Sequence, residues 1–206
     1  MACAAAVTAL ACGPKPAQPS AAEGPAPAPA VAPTQAAAPT ADEPAAAPAP
    51  KPDVESARPP APRVAELPAF DRDGLIAHIK QKGARATVVT VWATWCVPCI
   101  EEMPMLARYY DAHRADGLEI LGLSLDDRTT AGDKIQRVLD RVRVSYPMAV
   151  IATGQAEAFI SATSPQWDGM LPAAILFDAE GTQRGFVTEQ LSEEGLAELV
   201  KPLLAR

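Results

Sequence analysis

The sequence contains few residues of the types that bind metals and nucleic acids. Its 206 residues include 4 cysteines and 2 histidines, His78 and His113. Basic residues are also in the minority, since 18 Lys and Arg stand against 25 Asp and Glu and the formal net charge is -7. No basic tract interrupts this acidic balance. We therefore expect no nucleic acid among the partners of this protein.

A long apolar run is missing too. A transmembrane helix needs roughly 20 consecutive apolar residues, and the small, apolar segment 1–12 is shorter than that. It ends in Leu10, Ala11 and Cys12, which resembles a lipoprotein cleavage site, although no Lys or Arg precedes the apolar run as in a signal peptide. We predict an exported chain that carries lipid on Cys12. A cleaved, soluble form and a chain that is not exported are the alternatives.

Residues 13–62 lack aromatic side chains and include 15 Pro and 17 Ala. Such a stretch has too little apolar surface to offset the entropy that it would lose on ordering. Its composition is typical of a semi-rigid, partly polyproline spacer. Only the region 63–206 is left to build a hydrophobic core. The predicted organisation is therefore a signal and lipoprotein segment at 1–12, a disordered linker at 13–62 and one globular domain at 63–206.

The region after residue 63 alternates between helical and strand-like hydrophobic patterns. Leu75, Ile76 and Ile79 recur at helical spacing before Gly83, and β-branched residues dominate Ala86–Trp92 as they do in buried strands. This β-α-β order predicts an α/β fold with a central sheet and helices on both faces. The predicted elements are, in order, helix 70–82, strand 86–92, a helix from the cysteines to residue 113, strand 117–125, helix 130–142, strand 146–151, a helical turn at 155–160, a hairpin at 174–188 and helix 193–204.

Two cysteines stand where a predicted strand meets a predicted helix. In the segment WATWCVPC, Cys96 lies at the helix N-terminus, where unpaired backbone N–H groups and the helix dipole favour a thiolate. Such positions lower the pKa of a cysteine from about 8.5 to between about 3.5 and 7.5. Pro98 stiffens the turn and keeps Cys99 close enough to attack a mixed disulfide on Cys96. We predict that Cys96 is a nucleophile and that Cys99 is its resolving thiol.

The same Cys-x-x-Cys spacing occurs in two other kinds of site. It forms half of a tetrahedral zinc site, but the remaining cysteines, Cys3 and Cys12, lie in the predicted export segment, and the histidines are few. An inert structural disulfide is the second alternative, which the strand, aromatic and helix context disfavours. We expect no metal site.

The segment Trp92–Cys99 and the sequence EEMP at 101–104 resemble the exported thioredoxin-like proteins of the TlpA/ResA group. The resemblance covers about 63–206. It implies a thioredoxin-like fold, with a central mixed sheet flanked by helices and a family insertion between the active-site helix and a cis-proline loop. It also implies tethering to a membrane on the periplasmic side of the cell envelope, in agreement with the lipid predicted on Cys12.

The resemblance also implies a carboxylate near the thiols. In cytosolic thioredoxins a buried acid six residues before the first active cysteine assists proton transfer, but here that position holds Thr90, whose hydroxyl cannot act as that base. Glu102 follows Cys99 by three residues, shares its helix face and matches a glutamate of the TlpA/ResA group. We predict that Glu102 relays protons or tunes the thiol pKa. A solvated helix residue is the alternative.

A proline loop completes the implied site. Leu171 and Pro172 precede the predicted hairpin and are similar to the loop in which this fold carries a cis proline facing the dithiol. The resemblance implies that Leu171 pairs with an extended substrate peptide, as in strand addition. Trp95 is expected to form a partly exposed wall beside the first cysteine. The family usually has threonine after the proline and glycine two residues before it, whereas this chain has Ala173 after it and Gly169 three before.

These features predict an exported, membrane-tethered thiol:disulfide oxidoreductase that reduces protein disulfides, in cytochrome c maturation or related envelope thiol reduction. The electrons reside in the Cys96–Cys99 pair, so we expect no organic cofactor, and an upstream membrane dithiol donor would recycle the pair. Two other functions are compatible with a dithiol. A Cu(I) or redox-partner chaperone would hold the metal between the same two thiolates. A thiol peroxidase is the other, but no upstream proline or arginine pattern supports it.

Overall fold

The computed structural model describes residues 60–205. The predicted export segment 1–12, with its lipidation site Cys12, lies outside the described residues, as does most of the predicted linker 13–62. Within the described part of the chain, no helix is both long and apolar enough to span a membrane.

Between residues 60 and 205, six strands form one mixed sheet in the order β1-β4-β3-β2-β5-β6. The pairs β1–β4, β4–β3 and β3–β2 are parallel, whereas β5 is antiparallel to both β2 and β6. Every residue of the central strand β2 is buried, as expected for a strand with both faces covered. The strands are β1 (Ala69–Phe70), β2 (Ala86–Trp92), β3 (Leu118–Ser124), β4 (Met148–Ile151), β5 (Ala173–Asp178) and β6 (Gln183–Val187).

Helices cover both faces of this sheet. One buried apolar cluster joins α1 and α4 to Val89 and Val91 of β2, and a second joins α2, α3 and α5 to Val88 and Trp92. Two clusters form because alternate residues of a strand point to opposite faces of the sheet. The α-helices of the described region are α1 (Arg72–Lys82), α2 (Val97–His113), α3 (Arg128–Val142), α4 (Ala156–Thr163) and α5 (Glu193–Leu204).

Most of the elements predicted from the hydrophobic pattern are confirmed. The strand at 86–92 and the helix at 193–204 have the predicted bounds. Gly83 ends α1, because its φ of 64° lies in the left-handed region and its N–H donates to the carbonyl of Ile79. The predicted α/β architecture, a mixed sheet with helices on both faces, is also confirmed.

The first elements of the domain differ from the prediction. The helix expected from residue 70 begins at Arg72, because Asp71 accepts the N–H of Gly74 and caps it there. Ala69–Phe70 pairs instead with β4 as strand β1, after a 3-10 turn at Val64–Glu66. A strand of two residues has no recognisable hydrophobic period. Pairing with a distant segment therefore determines its structure, and the local pattern does not.

Candidate active site

The two cysteines lie where β2 leads into α2. Cys96 is the N-cap of α2, and its Sγ accepts the backbone N–H of Cys99 at 3.3 Å. The two sulfurs form a disulfide, and their Cα atoms are 5.4 Å apart. Because the first N–H groups of a helix carry partial positive charge, this position stabilises a thiolate on Cys96 after reduction. Sγ of Cys99 lies 3.9 Å from the carbonyl oxygen of Val91, a neighbour that disfavours a thiolate there.

Two exposed apolar side chains are the sequence neighbours of Cys96. Both cysteines are buried, whereas Trp95 is 68% exposed and Val97 is 62% exposed. Met170, in the proline loop, is also 62% exposed. Among residues 60–205, these three are the exposed large hydrophobic side chains. The expected exposure of Trp95 is thus confirmed, and Trp95 and Val97 place exposed apolar side chains directly before and after Cys96 in the chain.

The proline loop reaches the same end of the sheet as the dithiol. The Leu171–Pro172 peptide bond is cis, as the resemblance implies. Pro172 directly precedes β5, and the antiparallel register of β5 on β2 brings the start of one strand beside the end of the other. Trp167 is buried before this loop, and its indole N–H donates to the carbonyl of Met170 at 2.8 Å. Trp167 therefore packs under the loop and supports its shape.

Asp126 fixes the turn before the cysteines, a role that the sequence analysis missed. Its carboxylate accepts the backbone N–H of Thr94 at 2.6 Å and the Thr94 hydroxyl at 3.2 Å. The Ser124 hydroxyl donates to the same carboxylate at 3.1 Å. Because β2 and β3 are parallel neighbours, with Trp92 opposite Ser124, the residues that follow the two strands meet at one edge. An acid just after a predicted buried strand was the available signal.

Glu102 is a buried carboxyl group one helical turn after Cys99. It is 5% exposed, and its Oε2 accepts the backbone N–H of Leu191 at 2.9 Å. Burial raises the pKa of Glu102 to about 7 and outweighs the opposite, smaller effect of the hydrogen bond from the N–H of Leu191. The alternative of a solvated helix residue is wrong, since Glu102 is buried where its neighbour Glu101 is exposed. A role in proton transfer stays a prediction.

The loop between β6 and α5 holds the start of α2 at two points. Besides the contact of Leu191 with Glu102, the side-chain amide of Gln190 donates to the carbonyl of Pro98 at 3.4 Å. These contacts join segments 92 and 89 residues apart. No local pattern in the sequence could have indicated them.

The charge of Glu102 affects the pKa of a buried tyrosine, Tyr146. Burial raises the pKa of Tyr146, and the negative charge of Glu102 raises it further. Within the described residues 60–205, the Tyr146 hydroxyl has no hydrogen-bond partner, and neither does the indole nitrogen of Trp92.

Thr90, at the position of the thioredoxin acid, is buried on β2. No group of three or more His, Cys, Asp or Glu side chains in this part of the chain is arranged to hold a metal ion.

The mixed sheet, the cis-proline loop and a Cys-x-x-Cys pair at a helix N-terminus together define a thioredoxin-fold protein with a redox-active dithiol site. Comparison with known proteins then identifies its family. The chain belongs to the AhpC/TSA family, whose model matches residues 61–184. It is a thiol-disulfide oxidoreductase, in agreement with the names of its relatives.

Relatives and solved structures match between 60% and 71% of this chain. The chain is 29% identical over 136 residues to thiol-disulfide oxidoreductase ResA of Halalkalibacterium halodurans, across 64% of this chain and 72% of that protein. A thioredoxin-related protein from Neisseria meningitidis serogroup B has a TM-score of 0.51 and 27% identity, across 60% of this chain and 87% of that one. A thiol:disulfide interchange protein of the thioredoxin family from Chlorobium tepidum TLS, at 22% identity, shares the fold with a TM-score of 0.52 over 71% of this chain and 97% of that one.

Proposed function

We propose that this oxidoreductase reduces disulfide bonds of other proteins in the cell envelope. The observation that carries the proposal is the position of Cys96 as the N-cap of α2 with Cys99 one turn further on, which supports one attacking and one resolving thiol. The pair Val97-Pro98 between the cysteines resembles the reductases of this fold. This resemblance supports electron flow from the protein to its substrate.

The reaction proceeds by two thiol–disulfide exchanges. The Cys96 thiolate attacks one sulfur of the substrate disulfide, the substrate S–S bond breaks, and a mixed disulfide forms while the released substrate thiolate takes up a proton. The Cys99 thiolate then attacks Sγ of Cys96, which closes the Cys96–Cys99 disulfide and releases the second substrate thiol. Two electrons pass from the protein dithiol to the substrate, and no organic cofactor takes part.

Glu102 accepts the proton of Cys99 before the second exchange. The two side chains lie three residues apart on one helix face, where such neighbours are within about 6 Å of each other. With its pKa of about 7, Glu102 is partly ionised near neutral pH and can both take and return a proton. Thr90 offers no comparable group.

The substrate is held beside the dithiol by Trp95, Leu171 and Pro172. The exposed indole of Trp95 provides a flat apolar contact next to Cys96. An extended substrate segment pairs with the backbone of Leu171 by strand addition. Pro172 has no backbone N–H, so it offers no competing hydrogen bond at that point.

Lipid on Cys12 tethers the protein to a membrane, with the domain on the periplasmic side, and an upstream membrane dithiol donor returns electrons to Cys96–Cys99. Cytochrome c maturation or a related envelope thiol reduction is the process that consumes them. Labelled palmitate tests the anchor: wild-type protein should incorporate the label and Cys12→Ala should not. An unlabelled wild-type protein would show that this part of the proposal is wrong.

Insulin reduction tests the activity itself. Wild-type protein with a dithiol reductant should reduce insulin disulfides, and Cys96→Ser should have no activity above the reductant alone. Cys99→Ser should accumulate a mixed disulfide on Cys96, which also captures the physiological substrate. The assigned roles would be wrong if Cys96→Ser formed a mixed disulfide on Cys99 and Cys99→Ser formed none on Cys96.

Two further measurements test the direction and the alternatives. A reduction potential close to about -270 mV is expected for a reductase, whereas about -120 mV would indicate an oxidant. Cu(I) binding by the reduced protein without insulin turnover would favour a copper chaperone. Consumption of hydrogen peroxide by the reduced protein, faster than its insulin reduction, would favour a thiol peroxidase.

A further inference from the structure

An open groove of about 650 Å³ lies between the active-site turn and helix α3. Thr94 and Trp95 form its wall on the side of the dithiol. Ile100 and Val138, both buried, line its apolar part. Trp95 is bonded directly to Cys96, so a chain segment lying in this groove runs beside the first cysteine.

Three cations line the other wall of the groove. Lys134, Arg137 and Arg141 are exposed and follow one another at helical spacings of three and four residues, so they form one stripe along α3. Within residues 60–205, no carboxylate lies within 4.0 Å of their charged groups. Asp126 also lines the groove, but Thr94 and Ser124 hydrogen-bond to its carboxylate.

The charge of this stripe is opposite in sign to the net charge of the chain. From residue 63 onward the sequence has 15 Lys and Arg against 20 Asp and Glu. A concentration of positive charge beside the dithiol of an acidic domain therefore gives the reactive face a local charge of its own. Guanidinium groups also match carboxylates in shape, since each can donate two parallel hydrogen bonds.

We propose that this groove binds an acidic segment that flanks the reacting cysteine of the partner protein. The inference rests on the proposed disulfide reduction and adds the chemical class of its substrate. The carboxylates of the segment pair with Lys134, Arg137 and Arg141, and its apolar residues contact Trp95. Since the groove is open to solvent, these charges act mainly on the rate of encounter and are weakened by salt.

Three synthetic peptides provide the test. Each contains the same intramolecular disulfide, flanked by glutamates, by glutamines or by lysines. Stopped-flow tryptophan fluorescence of the full, reduced protein gives the second-order rate constant for each peptide, at about 20 mM and about 500 mM salt. We expect the glutamate peptide to react about tenfold faster than the glutamine peptide at low salt, the lysine peptide to react more slowly than both, and the differences to shrink at high salt.

Variants locate the preference on the molecule. The variant Arg137→Glu should abolish the preference for the glutamate peptide or reverse it. The matched control is Lys201→Glu, because Lys201 is an exposed cation near the C-terminal end of α5 and pairs with Glu198 away from the groove. This control should keep the roughly tenfold preference of the wild type.

Each outcome has one meaning. If the wild type reduces the glutamate and glutamine peptides at equal rates, the groove proposal is overturned while disulfide reduction stands. An equal loss of preference in Lys201→Glu also overturns it, because the effect would then come from net charge. If no peptide is reduced, although the reduced dithiol is present, the proposed function itself fails.

Discussion

Replacing Glu102 with Gln should stabilise the oxidised protein at alkaline pH and leave it almost unchanged in acid. The Glu102 carboxyl is buried in the folded protein, where its pKa is about 7 in place of the ordinary 4.5. The folded state therefore holds this proton more tightly than the unfolded chain does. Unfolding releases the proton between these two pH values, so the free energy of unfolding falls as the pH rises through that window.

The size of this effect follows from the two pKa values. Their difference corresponds to about 3 kcal/mol of unfolding free energy, fully lost above about pH 7 to 8. Glutamine does not titrate, and its amide oxygen can still accept the N–H of Leu191. The variant should thus equal the wild type at about pH 4 and exceed it by about 3 kcal/mol at about pH 8.5.

Urea unfolding of the oxidised proteins, followed by tryptophan fluorescence, measures this difference. With a slope of about 2 kcal/mol per molar urea, the midpoint of Glu102→Gln should be about 1.5 M higher than that of the wild type at alkaline pH. Glu101→Gln is the matched control, because Glu101 is an exposed neighbour on the same helix. Its midpoint should stay with that of the wild type at both pH values.

Two results would refute this reasoning. If Glu102→Gln and the wild type differ by the same amount at acid and alkaline pH, the carboxyl does not titrate in a perturbed environment. If Glu101→Gln reproduces the alkaline gain, the gain comes from lower net charge and does not report on burial. Insulin reduction by the same variants then tests the proton-transfer role, because Glu102→Gln should alter the pH profile of the rate and Glu101→Gln should not.

Three other variants are expected to change stability. Asp126→Ala removes the acceptor for both donors of Thr94, so unfolding free energy should fall by about 2 kcal/mol and insulin reduction should slow, as urea unfolding and initial rates would show. An added Cβ in Gly122→Ala would overlap Sδ of Met148, so overpacking should destabilise the protein by about 1 to 3 kcal/mol in the same assay. Tyr146→Phe removes a buried hydroxyl that has no partner among residues 60–205 and should be neutral or stabilising by about 1 kcal/mol; a clear loss of stability would show that the hydroxyl is satisfied.

The sequence pattern was sufficient where local preference and burial agree. The β-branched run at 86–92 favours a strand in itself, and its central place in the sheet buries both faces, so its bounds were predicted correctly. The N-terminal edge shows the opposite case. Ala69–Phe70 is too short to carry a period, and it becomes a strand only because β4 lies beside it.

In the candidate site, too, some features could be predicted from the sequence and others depend on contacts between distant segments. Cys96 and Cys99 are close in sequence, so their spacing and their position at the start of a helix could be predicted. Burial of Glu102 depends on Leu191, and the turn before the cysteines depends on Asp126. Such contacts between distant segments leave no periodic signal. Only the strand order, with β3 and β5 on either side of β2, brings them to the dithiol.

The contact of Glu102 with Leu191, 89 residues further along, bears on how the protein is made. A chain synthesised from its N-terminus presents both cysteines long before β5, β6 and the loop that follows them exist. The two thiols can meet in the nascent chain because they are close in sequence, but α2 then has neither its complete sheet nor Leu191 to lie against. Contacts of such long range form late and slow folding. A ribosome that stops before the last strands would thus release a dithiol whose neighbour Glu102 is not yet bound to Leu191.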